Sequence, residues 1–110
     1  MTRGRRPGAA IADAMQHAAA AGYLVVPVLD PSLPCDFLAL KRGGGTLVRV
    51  RRVRYPVFTV PAIGHSCARE IAGLREIPDL GNLARELWVR GPGRHVRRYR
   101  VFPDRVERKA

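Results

Sequence analysis

Acidic residues are scarce in this chain: its 110 residues hold 9 Asp and Glu against 20 Lys and Arg, a formal net charge of +11 at pH 7. Such a balance disfavours a cationic partner and favours a polyanion, nucleic acid above all. Lysine is nearly missing too, with Lys41 and Lys109 the only two among the cations; codon bias can choose arginine over lysine but does not create an excess over acids. Cysteine is limited to Cys35 and Cys67, which have no second pair at metal-ligand spacing and read as small buried hydrophobes. Apolar runs stay far short of the ~20 residues a bilayer requires, and no hydrophobic signal segment precedes the first helix. A soluble cytoplasmic protein with no membrane association is expected. Gly43-Gly44-Gly45 lacks both a following helix and a Gly-Lys-Ser/Thr, so it is not a phosphate loop.

The length fits one domain with a modest core. We expect it over residues 9–106, behind a basic arm (residues 1–8, with Arg3, Arg5 and Arg6) and before a short tail (residues 107–110). From Ala9 to Ala21 alanine favours helix, with Ile11, Met15 and Ala18 or Ala19 at helical spacing on one face, and Gly22 ends it. Tyr23–Leu29 is a β-type run, and Asp30-Pro31-Ser32-Leu33-Pro34 is a loop. After Tyr55-Pro56, residues 57–61 read as a short extended piece. Ser66 is the expected N-cap of a helix over Cys67–Glu76, with Ile71, Leu74 and Ile77 on its apolar side. Residues 79–84 read as a loop. Two strands follow, Arg85–Arg90 and His95–Phe102, about the turn Gly91-Pro92-Gly93-Arg94.

The stretch Asp36–Arg54 organises the rest. Phe37-Leu38-Ala39-Leu40 is apolar, the three glycines supply a turn, and Thr46–Val53 is rich in β-branched residues, which together describe a hairpin. Period two sorts the second strand into Val48, Val50 and Arg52 on one face and Leu47, Arg49, Arg51 and Val53 on the other. On the last strand Val96, Arg98, Arg100 and Phe102 share a face.

Pro34-Cys35-Asp36, the turn Lys41-Arg42-Gly43 and the register of Arg49-Val50-Arg51 give this hairpin its resemblance to the PD-(D/E)xK, or restriction-endonuclease-like, superfamily, most closely the archaeal Holliday junction resolvases. The resemblance covers roughly residues 10–105. It implies an α/β fold, a mixed sheet of about five strands flanked by two helices in the order α-β-β-β-α-β-β, a homodimer, and double-stranded or branched DNA as partner. In the family two carboxylates hold Mg²⁺ and a lysine assists; here the Glu-x-Lys register carries Arg49 and Arg51. A guanidinium about 4 Å from a dication is repelled by roughly 8 kcal/mol at an effective dielectric of ~20. The family's helix glutamate falls in the register of Ile11, and Asp13 lies two positions on. No metal or other cofactor is therefore expected, and Asp36 is expected to pair with Arg49 or Arg51.

The resulting expectation is a resolvase-like DNA-binding module that has lost hydrolysis, gripping phosphates through Lys41, Arg42, Arg49, Arg51, Arg52, Arg54, Arg98 and Arg100. One alternative is a divergent Mg²⁺-dependent endonuclease built on Asp36 with an acid from elsewhere, such as Asp30, Asp13 or Glu70. Another is a protein-interaction subunit for an acidic partner. His65-Ser66-Cys67 sets a base beside nucleophiles in sequence, which does not create triad geometry. His17 and His95 have no ligand spacing, and Trp88, Tyr99 and Phe102 read as core aromatics with stacking on bases as the other use.

Overall fold

A computed structural model describes residues 7–54, 59–78 and 81–109, the side chain of Arg94 excepted. The fold is α/β: helix α1 (Gly8–Ala20), strands β1 (Leu24–Pro27), β2 (Phe37–Lys41) and β3 (Gly44–Arg52), helices α2 (Val60–Ser66) and α3 (Ala68–Arg75), then strands β4 (Leu83–Arg90), β5 (Val96–Val101) and β6 (Val106–Arg108). All six strands form one sheet in sequence order. Every neighbouring pair is antiparallel except β3 and β4, which run parallel because the helical crossover α2–α3 joins them.

The hairpin is where the sequence pattern placed it, with Phe37 opposite Val48 and Lys41 opposite Gly44. Gly43 closes the turn at φ 87°, which a side chain resists, and a Cβ on Gly45 would stand 2.6 Å from Leu40 Cδ2. Glycine here permits the turn and lets β2, β3 and the start of β4 approach closely.

Period two builds a core on each side of the sheet. Phe37, Ala39, Val48, Val50 and Trp88 meet α1 on one face, while Leu47, Leu87, Val89, Tyr99 and Val101 meet Ile63, Cys67, Ile71 and Leu74 of the crossover on the other. Arg85 and Arg75 fasten α3 by donating to the carbonyls of Ile77 and Phe102, each at 2.9 Å. No helix among the described residues is long and apolar enough to cross a membrane.

Four expectations need correction. Among the described residues there are six strands and three α-helices rather than five and two: Val106–Arg108, of which 107 and 108 were expected as tail, pairs with β5, and Val60–Ser66 forms a separate helix before α3. Residues 60–61 are helical rather than extended, and the capping residue is Thr59, whose hydroxyl takes the Ala62 N–H at 3.4 Å; Ser66 ends α2 instead. Leu83 and Ala84, expected as loop, begin β4 because they pair with Gly45 and Thr46 of β3. Finally, α1 turns Ala10, Ala14 and Ala18 fully inward and leaves Ile11 and Met15 half-buried at the side. Alanine wins the inner stripe because it lets the helix axis come close to the sheet. Pro7 precedes α1 and Gly8 already belongs to it; residues 1–6 of the expected arm, the break at Tyr55-Pro56, residues 57–58 of the extended piece and residues 79–80 lie outside the described residues.

Candidate nucleic-acid interface

Asp36 opens β2 beneath the crossover and is almost fully buried, 3 % exposed. Its backbone N–H donates to Val48 O at 2.7 Å, and its carboxylate Oδ2 accepts the Val50 N–H at 2.8 Å. The side chain thus continues the β2–β3 ladder with an anionic acceptor at the start of β2. Arg49 Nε lies 3.7 Å from the same oxygen, an ion pair at a distance longer than a hydrogen bond. Arg51 is not the partner of Asp36: its Nη1 reaches Glu70 of α3 at 2.9 Å. Both arginines face the crossover and both are matched by carboxylates, beside a cleft of about 180 Å³ lined by Pro31–Pro34, Arg49, Arg69, Glu70 and Gly73. Among the described residues no group of three His, Cys, Asp or Glu is gathered to hold a metal ion.

Arg98 and Arg100 of β5 lie on the other face of the sheet. Glu86, Trp88 and Arg90 of β4 pair with Arg100, Arg98 and Val96 of β5, and Trp88 belongs to the core under α1. Arg49 and Arg51 therefore cannot share a surface with Arg98 and Arg100. Alternation within each strand was read correctly; the relation between strands far apart in sequence comes from the crossover.

On the α1 face, α1 packs chiefly on β1, β3 and β4. Beyond it an open groove of about 390 Å³ runs from the β2–β3 turn to β5, lined by Tyr23, Lys41, Arg42, Thr46, Asn82, Glu86, Arg100 and Lys109 among others. Lys41, Arg42, Arg100 and Lys109 are all exposed. Lys41 Nζ sits 4.2 Å over the Tyr23 ring, and Lys109 Nζ reaches the buried Glu86 carboxylate at 2.9 Å. The other Glu86 oxygen accepts the Trp88 indole N–H at 2.8 Å. Four cations thus line the groove against one buried carboxylate, each of whose oxygens accepts one hydrogen bond, so the groove keeps a positive field. Lys109 was missed at the sequence level because it lies in the expected tail; only its strand pairing brings it here, with its N–H on Arg98 O at 2.9 Å.

A second basic crevice, about 410 Å³, opens at the carboxyl ends of the parallel pair β3 and β4, lined by Arg52, Val53, Arg54, Arg90, Gly91, Pro92 and Gly93. The carboxyl ends of parallel strands are where α/β sheets offer crevices to ligands. Arg90 is held by Asp13 of α1 at 3.1 Å, which gives Asp13 a structural task. Across the nine residues of β3, at ~3.3 Å per residue, the two basic openings stand on the order of 26 Å apart.

The remaining sequence-level candidates sort clearly. Trp88 and Tyr99 are 1 % and 0 % exposed and are core, not stacking platforms; Trp88 meets Phe37 edge-on at 5.5 Å, and Arg98 stacks over its indole at 5.6 Å. The guanidinium groups of Arg100 and Arg105 lie over the Phe102 ring at 4.8 and 4.1 Å. Cys35 and Cys67 are buried free thiols. Burial pushes the Cys67 thiol up to about 11, the reverse of what activates a nucleophile, while His65 and Ser66 beside it point to solvent. No protein-family model matches the chain, and no curated protein is significantly similar to it.

Proposed function

We propose that this protein is a DNA-binding module that grips the phosphate backbone through the open groove of Lys41, Arg42, Arg100 and Lys109, with Arg52 and Arg54 as a second contact at the far end of β3. The observation that carries the reading is that four exposed cations converge on a face of the sheet left open beside α1. Arginine and lysine there neutralise phosphates without reading bases, so shape rather than sequence sets preference. The order helix, three antiparallel strands, helical crossover and parallel strand supports a restriction-endonuclease-like core and, through it, double-stranded or branched DNA as ligand in a reducing cytoplasm.

Hydrolysis has been lost in this reading. Asp36, where the superfamily resemblance puts a metal ligand, spends its carboxylate on Val50 N–H and Arg49, and the neighbouring acid Glu70 on Arg51. The divergent-nuclease alternative must displace both pairings. Partnership with an acidic protein uses the same groove chemistry and is separated from DNA binding by titration.

The test is a duplex titration over a range of salt. Four phosphates neutralised in the groove and two at Arg52 and Arg54 give log K against log salt a slope near −5.4 for B-DNA. A slope near zero, or no binding at about 50 mM salt, would overturn the reading. Metal-dependent cutting of duplex or four-way-junction DNA by purified wild type, lost in a folded Asp36→Asn variant, would favour the enzyme instead.

A further inference from the structure

The crevice at the carboxyl ends of β3 and β4 differs from the other openings in its charge: among the described residues that line it Arg52, Arg54 and Arg90 are cationic and none is acidic. The groove beside α1 holds Glu86, and the cleft under the crossover holds Glu70. Arg52 stands two positions beyond Val50 and Arg90 two beyond Trp88, both on the α1 face. The crevice therefore opens on the same side of the sheet as the groove. Main chain shapes its walls. Val53 N–H donates to Arg90 O at 3.0 Å and ties the exit of β3 to β4, and Gly91 N–H donates to His95 O at 2.9 Å and closes the turn into β5.

Arg90 is fixed before any ligand arrives. Its Nη2 is held by Asp13 at 3.1 Å and its side chain is only 14 % exposed, while its buried Nε has no hydrogen-bond acceptor. A buried guanidinium N–H without an acceptor costs free energy, and an anionic oxygen drawn up to Arg90 would offset it. Arg52 and Arg54 are exposed beside it. Among the described residues, three guanidinium groups against the one carboxylate of Asp13 leave two positive charges over.

We propose that this crevice is a phosphate-monoester site filled by the terminal phosphate of a nucleic-acid strand, a role that rests on the DNA-binding reading of the groove for the strand that carries the phosphate. A phosphate inside a strand has one negative charge, two of its oxygens esterified and a sugar on each side. A terminal phosphate carries close to two charges at neutral pH, offers three oxygens to the guanidinium forks and enters with a sugar on one side only. Charge, acceptor number and access all favour the end of a strand over its middle. The two openings stand on the order of 26 Å apart along β3, which is roughly eight base pairs at ~3.4 Å each. An end seated in the crevice thus reaches Lys41, Arg42, Arg100 and Lys109 within one turn of duplex.

Fluorescence anisotropy of the full chain with duplexes of about twelve base pairs, ending in 5′-phosphate, 3′-phosphate or hydroxyl groups only, tests the proposal. One phosphorylated end should bind on the order of tenfold tighter than the hydroxyl end. About 10 mM inorganic phosphate at constant ionic strength should erase that preference and leave the hydroxyl-ended duplex bound. Arg52→Ala and Arg54→Ala should each abolish the preference with circular dichroism unchanged, whereas Arg42→Ala in the groove should weaken all three duplexes alike and keep it. Equal binding of phosphate and hydroxyl ends would overturn the strand end and leave the groove reading standing; no binding of any duplex would overturn both. If the ends bind equally while calorimetry shows inorganic phosphate binding that Arg54→Ala removes, the crevice takes free phosphate and the strand end is overturned as its source.

Discussion

The carboxylate of Asp36 accepts the backbone N–H of Val50 at 2.8 Å, so an acid that the superfamily resemblance assigns to metal binding here holds two strands in register. Removing it leaves a buried N–H without an acceptor and Arg49 without its counter-charge. Asp36→Ala should therefore destabilise the protein by about 3 kcal/mol, and Asp36→Asn, which keeps an oxygen acceptor, by roughly half that. Urea midpoints at constant m-value measure both. An Asp36→Ala loss within about 0.5 kcal/mol of zero would remove the structural role.

The proposed DNA groove and the ion pairs of Arg49 and Arg51 lie on opposite faces of the sheet. Arg100→Ala and Lys41→Ala should each weaken DNA binding uniformly across sequences and reduce the salt slope by about 1. Arg51→Ala, which breaks the pair with Glu70, should leave the slope unchanged. Equal slope changes from Arg51 and Arg100 would place DNA on the crossover side.

Small residues bring α1 down onto the sheet. Ala14 is 0 % exposed, and Ala14→Leu should cost about 1–3 kcal/mol by overpacking. Ile11→Ala, at a half-buried position, should cost about 1 kcal/mol by lost burial. Thermal unfolding of the two variants checks the order, and a larger loss at Ile11 would return the helix to the face expected from its periodicity.

Alkaline pH should weaken the fold. Burial raises the Cys67 thiol to about 11 and raises the Tyr99 phenol as well. The folded state keeps these protons after the unfolded chain has released them, so it binds more protons and stability falls with rising pH. The loss from Cys67 begins near the unfolded thiol value of about 8.5 and extends to about pH 11. Denaturant midpoints from pH 7 to 11 should decline, and Cys67→Ala should flatten that decline relative to its own value at pH 7. In the native protein Cys67 should also resist alkylation at neutral pH.

Local pattern was enough for what repeats every two or four residues. The hairpin of β2 and β3, the inward alternation of Val48 and Val50 against Arg49 and Arg51, and the end of α1 before Gly22 follow from side-chain alternation and backbone freedom within a few residues. The excess of cations belongs to composition alone. Tertiary structure decided everything that depends on which strand lies beside which. The crossover α2–α3 set β4 parallel to β3, and this sent Arg98 and Arg100 to the face opposite Arg49 and Arg51. It also carried Glu70 to Arg51 across nineteen positions of sequence. Strand pairing at the end of the chain placed Lys109 over Glu86, twenty-three positions away. Periodicity tells a residue which side of its own strand it occupies; the long-range pairing that chooses its neighbours is set by burial summed over the whole sheet, which no short window of sequence contains.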